Sequence, residues 1–80
     1  MLEKLKTEKK VVGIKQLRRA LNEHRALVVF LADDADPALT EPIAVRCAEE
    51  GVPVTQVASM LELGRACQIS VSAAAAALVR

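Results

Sequence analysis

Phe30 is the one aromatic residue in a chain of 80; tryptophan and tyrosine are missing altogether. A binding surface made of stacked rings is therefore excluded. One histidine, His24, and two cysteines, Cys47 and Cys67, give no zinc-ligand spacing, no disulfide framework and no visible partner set for nucleophilic catalysis. Three glycines, at 13, 51 and 64, do not form a phosphate-cradling loop. The longest apolar runs, residues 26–32 and 73–79, fall far short of the ~20 residues that span a bilayer. The first six residues, with Glu3, Lys4 and Lys6, lack the apolar centre of a signal peptide. These absences lead to the expectation of a cytoplasmic protein in a reducing compartment, with both cysteines as buried thiols and no membrane partner.

What is present is small and aliphatic. Hydrophobic residues make up 52% of the chain, with 14 Ala, 10 Val and 10 Leu, and such side chains suit thin layers of helix laid on sheet. At this length there is room for one domain, residues 1–80, burying a little over ~60% of its unfolded surface. A deep catalytic cleft does not fit, so an enzyme is not expected. The formal charge of +1 conceals an asymmetry: residues 1–25 carry +5 and residues 26–80 carry −4. A basic block followed by an acidic remainder fits either a polyanion partner or a solvated basic face.

Along the chain, residues 2–9 form a short helix candidate and Lys10 to Val12 a short strand that ends at Gly13. Ile14, Leu17, Ala20 and Leu21 then make an apolar stripe at helical spacing, with Lys15, Arg18, Arg19 and Asn22 on the other face. Ala26 to Ala32 reads as a strand buried on both faces. The acidic segment Asp33-Asp34-Ala35-Asp36-Pro37 breaks the chain. Because Pro42 would clash with a helix already two turns long, the pattern predicts a tight turn at residues 37–39 and a helix capped by Thr40, ending at Gly51. Pro53 to Val57 reads as a second buried strand, and Ser59-Met60-Leu61-Glu62 as a capping box that opens a helix running to about Cys67. Gly64 lies inside that helix and costs roughly 1 kcal/mol relative to Ala, so something else must require a small residue there. The alternation of strand and helix makes the final alanine-rich segment a strand that closes a mixed or parallel sheet.

Two segments could carry chemistry. Asp33, Asp34 and Asp36 follow a buried strand, where an α/β fold can hold a metal or a phospho-acceptor, but Asp is more often the residue that turns a chain before Pro, and the architectural reading is preferred. Gly13-Ile14-Lys15-Gln16-Leu17-Arg18-Arg19 breaks a local rule, because three bases in the first two turns of a helix oppose its macrodipole. An anion docked on the free N–H groups would remove that opposition, with Gly13 allowing close approach and Gln16 offering an amide to a base edge. A solvated helix tolerated by a stable domain is the other reading, and these residues alone leave both open.

The sequence resembles the small bacterial YbxF-type members of the kink-turn RNA-binding ribosomal protein superfamily. The resemblance runs from Lys10 to Arg80 and rests on five blocks in order. They are Val12-Gly13-Ile14-Lys15-Gln16, Ala32-Asp33-Asp34-Ala35-Asp36-Pro37, Gly51-Val52-Pro53-Val54, Leu63-Gly64-Arg65-Ala66-Cys67 and Ile69-Ser70-Val71 leading into the alanine run. The resemblance implies an α/β fold, a three-layer α-β-α sandwich around a mixed four-stranded sheet. It also implies a site for the kink-turn, an RNA helix bent at a bulge that precedes tandem sheared G·A pairs. Gly13, Lys15, Gln16 and Arg19 would enter the groove at the G·A pairs; Ile69, Ser70 and Val71 would cover the bulged nucleotides; Asp36 to Thr40 would lie close by. The chain departs from the family pattern at Gln68 and Ser72, where Gly is frequent, and at Ser70, where an acid is frequent. Lys15 and Gln16 replace the Asn and Glu of archaeal members.

The expectation is thus a monomeric, non-catalytic protein without cofactor or metal that binds structured RNA, whether ribosomal RNA, a riboswitch or another non-coding RNA, with the ribosome as one setting. The competing expectation is a small doubly wound interaction or signalling domain that uses Asp33 to Asp36 as a receiver-like pocket.

Overall fold

A computed structural model describes residues 2–80. In chain order the elements are α1 (Lys4–Thr7), β1 (Lys10–Val12), α2 (Ile14–Asn22), β2 (Ala26–Ala32), α3 (Pro37–Glu50), β3 (Val54–Val57), α4 (Met60–Ala66) and β4 (Ala75–Val79). The strands lie in the order β1-β4-β2-β3. β4 is antiparallel to both neighbours, and only β2 and β3 run parallel. The sheet is therefore mixed, as the resemblance implies, and not the parallel one that the alternation of strand and helix also allowed. The alanine-rich strand forms the middle of the sheet rather than an edge.

Alternation along the two inner strands builds two cores. Phe30 and Ala32 of β2 with Ala76 and Leu78 of β4 face Leu5 of α1 and Leu63 and Ala66 of α4. Val29 and Leu31 with Ala75, Ala77 and Val79 face Leu17, Ala20 and Leu21 of α2 and Ile43 and Cys47 of α3. Helices thus cover both faces, giving the α-β-α sandwich. The alanines of β4 are fully buried, and their size lets the helices approach a strand that meets neighbours on both edges and both faces. Cys47 and Cys67 are buried as expected, and burial pushes both thiols up from their ordinary range, keeping them protonated at neutral pH.

Three expectations need correction. The helix predicted to start at Thr40 starts at Pro37, capped by Asp36, whose carboxylate accepts from the Ala38 N–H over 2.9 Å; Thr40 lies in the second turn and caps nothing. Pro42 removes one rung of that helix, but Pro37 is preorganised for the first helical position and the cap contributes about 1 kcal/mol. Ile43 and Cys47, seated in the core, hold the helix beyond the break. β3 is an edge strand on which only Val57 is fully buried and Gln56 is exposed, so its continuous β-prone pattern overstated its burial. The first helix is one turn long, because only Leu5 among its residues is buried.

Three helices end in the same way. The N–H groups of Arg25, Val52 and Ile69 reach back to the carbonyls of Ala20, Cys47 and Gly64 over 2.9, 2.9 and 3.1 Å. The residue before each donor takes a left-handed conformation: His24 at φ 55°, Gly51 at φ 71° and Gln68 at φ 61°. This is the Schellman closure, in which Gly is usual and His or Gln is strained.

Candidate nucleic-acid interface

One end of the sheet gathers the starts of three helices. α2 follows β1, α3 follows β2 and α4 follows β3, and all three of these strands finish where β4 begins. Hydrogen bonds tie these crossings together. The Gly13 N–H donates to the Ala75 carbonyl over 2.8 Å, the Ala32 N–H to Ala74 over 3.0 Å, and the Asp33 N–H to Val57 over 2.7 Å.

The three starts differ in chemistry. α3 is closed by Asp36, as described above. α4 is closed twice: Ser59 Oγ accepts from the Glu62 N–H over 3.1 Å, and Asp34 Oδ1 accepts from the Met60 N–H over 2.7 Å. Gln56, with its amide nitrogen oriented toward Asp33, donates to Asp33 Oδ1 over 2.7 Å. The acidic segment is thus occupied in capping and bracing. Among the described residues no group of acidic, histidine or cysteine side chains is arranged to hold a metal ion.

α2 is the exception. Gly13 at its N-cap has no side chain with which to accept, and no acidic residue stands in the first turn. The first N–H groups of the helix therefore face outward with the positive end of the dipole. Gly13 takes φ 100°, a conformation that favours glycine, and the space where a Cβ would point is open. Lys15 and Gln16 are exposed beside it, while Leu17, Ala20 and Leu21 anchor the opposite face.

The structure places the other predicted residues unequally. Asp36 lies at the same end of the sheet, and Thr40 is half-buried on α3 four residues later. Arg19 is 74% exposed at its side chain but sits about 6 Å along the helix axis from Lys15 and pairs with Glu23 over 3.5 Å. The loop after α4 doubles back along that helix: the Ile69 N–H donates to Gly64 and the Ala73 N–H to Met60, over 3.1 and 3.0 Å. Ile69 packs against the core on the α4 side, Ser70 is exposed, and Val71 is 66% exposed. The loop joins the α2 start through Ala74 and Ala75, and Ile69 itself lies further back along α4. Sequence reasoning assigned the acidic loop mostly to architecture but missed that Asp34 caps α4. A carboxylate 26 positions from the N–H it accepts leaves no local signal.

Comparison with known proteins finds relatives of both the sequence and the fold. The sequence profile of the ribosomal protein L7Ae/L30e/S12e/Gadd45 family matches residues 1–80. The chain is 50% identical over 76 residues to an RNA-binding protein of Geobacillus sp. (strain WCH70), covering 95% of this chain and 93% of that protein. It is 47% identical, with the same coverage, to the RNA-binding protein YbxF of Geobacillus stearothermophilus. Among solved structures, the 15.5kD RNA binding protein of Giardia lamblia superposes with a TM-score of 0.91 at 28% identity, over 99% of this chain and 70% of that one.

Proposed function

This chain belongs to the ribosomal protein L7Ae/L30e/S12e/Gadd45 family, and from that premise we propose that it is a non-catalytic RNA-binding protein that recognises kink-turn RNA. One observation carries the reading. Of three helix starts gathered at one end of the sheet, two are closed by side chains and the third, α2, is open and flanked by bases. A phosphate at the α2 start receives backbone N–H groups, the helix dipole and Lys15 together, which a sharply bent RNA with crowded phosphates needs most. Gln16, one residue on, presents a donor and an acceptor to the exposed edges of sheared G·A pairs. Arg19 extends the cationic strip along the groove, and Val71 offers an aliphatic surface to unstacked nucleotides, so recognition proceeds without aromatic rings. Since the bound RNA is bent, binding draws the RNA equilibrium toward the kinked form.

The test is a titration, followed by gel shift or by end-to-end fluorescence transfer in the RNA, against a kink-turn and against a duplex lacking the G·A pairs. Tight binding to the first with a rise in transfer efficiency is expected. Equal affinity for both sinks the proposal.

A further inference from the structure

Gly64 occupies the middle of a seven-residue helix, where Ala would favour the helix by roughly 1 kcal/mol. Its backbone is helical, so left-handed geometry does not explain it. Its neighbour does. A Cβ at this position would collide with the Val71 carbonyl oxygen and lie 3.0 Å from the Ser72 Cα and 3.2 Å from the Val71 carbonyl carbon. All three are backbone atoms, so no side chain can swing aside. The returning loop lies across α4 at the one point where α4 has no side chain. It is bonded on both sides of the crossing, by Ile69 to the Gly64 carbonyl and by Ala73 to the Met60 carbonyl. The Met60 N–H is in turn fixed by Asp34, so the acidic loop steadies the same helix from below.

We infer that Gly64 is the positioning residue of the 68–73 loop: by letting that loop seat directly on α4, it presents Val71 and Ser72 in a fixed shape before any RNA arrives. The inference rests on the kink-turn reading and its division of labour, and adds to it what holds the loop in shape. The α2 start takes the G·A pairs and the backbone, and the loop held by Gly64 takes the bulge. A loop ordered in advance costs less to bind than one ordered on contact.

The experiment compares wild type and Gly64→Ala on two RNAs, a complete kink-turn and the same RNA with its bulge deleted and its G·A pairs kept. The variant is expected to bind the complete kink-turn about tenfold more weakly. Its affinity for the bulge-deleted RNA, and the salt dependence of that binding, should stay at the wild-type level. A parallel loss on both RNAs means general destabilisation and overturns the positioning role. Should Gly64→Ala fail to fold, amide hydrogen exchange on the wild-type protein decides. Slow exchange at Ile69 and Ala73 without RNA is expected, and protection that arises only with RNA overturns the claim. A wild-type protein that ignores the G·A pairs removes the kink-turn reading instead, and the exchange measurement still judges the seating of the loop by itself.

Discussion

The α2 and α4 helices start at the same end of the same sheet, 46 positions apart, and solve the same problem in opposite ways. α4 satisfies its first N–H groups inside the protein, with Ser59 on Glu62 and Asp34 on Met60. α2 leaves them to the outside and places Lys15 where an acid would be stabilising. On the proposed reading, stability and binding are assigned to different helices. Mutations at the α4 start should change stability and leave RNA contacts alone, and mutations at the α2 start should do the reverse.

The largest effect should come from opening the closed start. Ser59→Ala strands an N–H of α4 and is expected to cost about 1 kcal/mol, seen as a fall of roughly 4–8 °C in melting temperature. The salt slope of RNA binding should not move; a change in slope would mean that the α4 start touches RNA. Gln68→Gly should act in the other direction by a similar or smaller amount. It relieves a left-handed Gln at φ 61° and is expected to stabilise by up to about 1 kcal/mol. Chemical denaturation reads this directly, and no gain would show that the Gln68 side chain contributes something that Gly cannot.

Gln68 also shows which parts of the fold were legible in the sequence. Gly51 announced the end of α3 because Gly is the usual residue for a left-handed closure, while the identical closures at His24 and Gln68 carried no such mark. The amphipathic stripe of α2 and the Ser59 cap of α4 were readable because both are local: each residue that decides them lies within four positions of the next. Pro42 misled for the same reason. Its local penalty was visible in the sequence, whereas the anchoring of Ile43 and Cys47 in the core was not. At the candidate site, Lys15, Arg18 and Arg19 stood out by breaking a rule of helix electrostatics and drew notice to Gly13 and Gln16 beside them. Gly64 was marked only as an anomaly, since its reason is the backbone of Val71 and Ser72, brought there by tertiary structure.

A smaller effect separates the two helix starts by sign. Lys15→Ala removes a base from the positive end of α2 and should raise stability by a few tenths of a kcal/mol. The same change should lower RNA affinity and reduce the salt slope by about one ion. A variant that becomes more stable and binds less well is the signature of a residue kept for its ligand. If stability and binding fall together, Lys15 belongs to the architecture, and the contrast between α2 and α4 fails.

The smallest effect concerns the far end of α2. Glu23 is held below the usual carboxylate range, first by its hydrogen bond from Arg25 and then by the charge of Arg19. A carboxyl lowered on folding adds stability above its unfolded pKa of about 4.3 and loses it as pH falls through the lower, folded value. At neutral pH Glu23 is therefore ionised and holds Arg19 along the helix, 3.5 Å away. An RNA phosphate must compete for the same guanidinium. Glu23→Gln removes the competitor, and affinity for the kink-turn is expected to rise on the order of twofold, the modest scale of an exposed pair. Deleting one acid would also raise affinity for any polyanion, so the comparison needs an Arg19→Ala background. There, Glu23→Gln should give a smaller gain, and the shortfall measures the coupling between the two side chains. An equal gain in both backgrounds would take Arg19 out of the site and confine recognition by α2 to its open first turn.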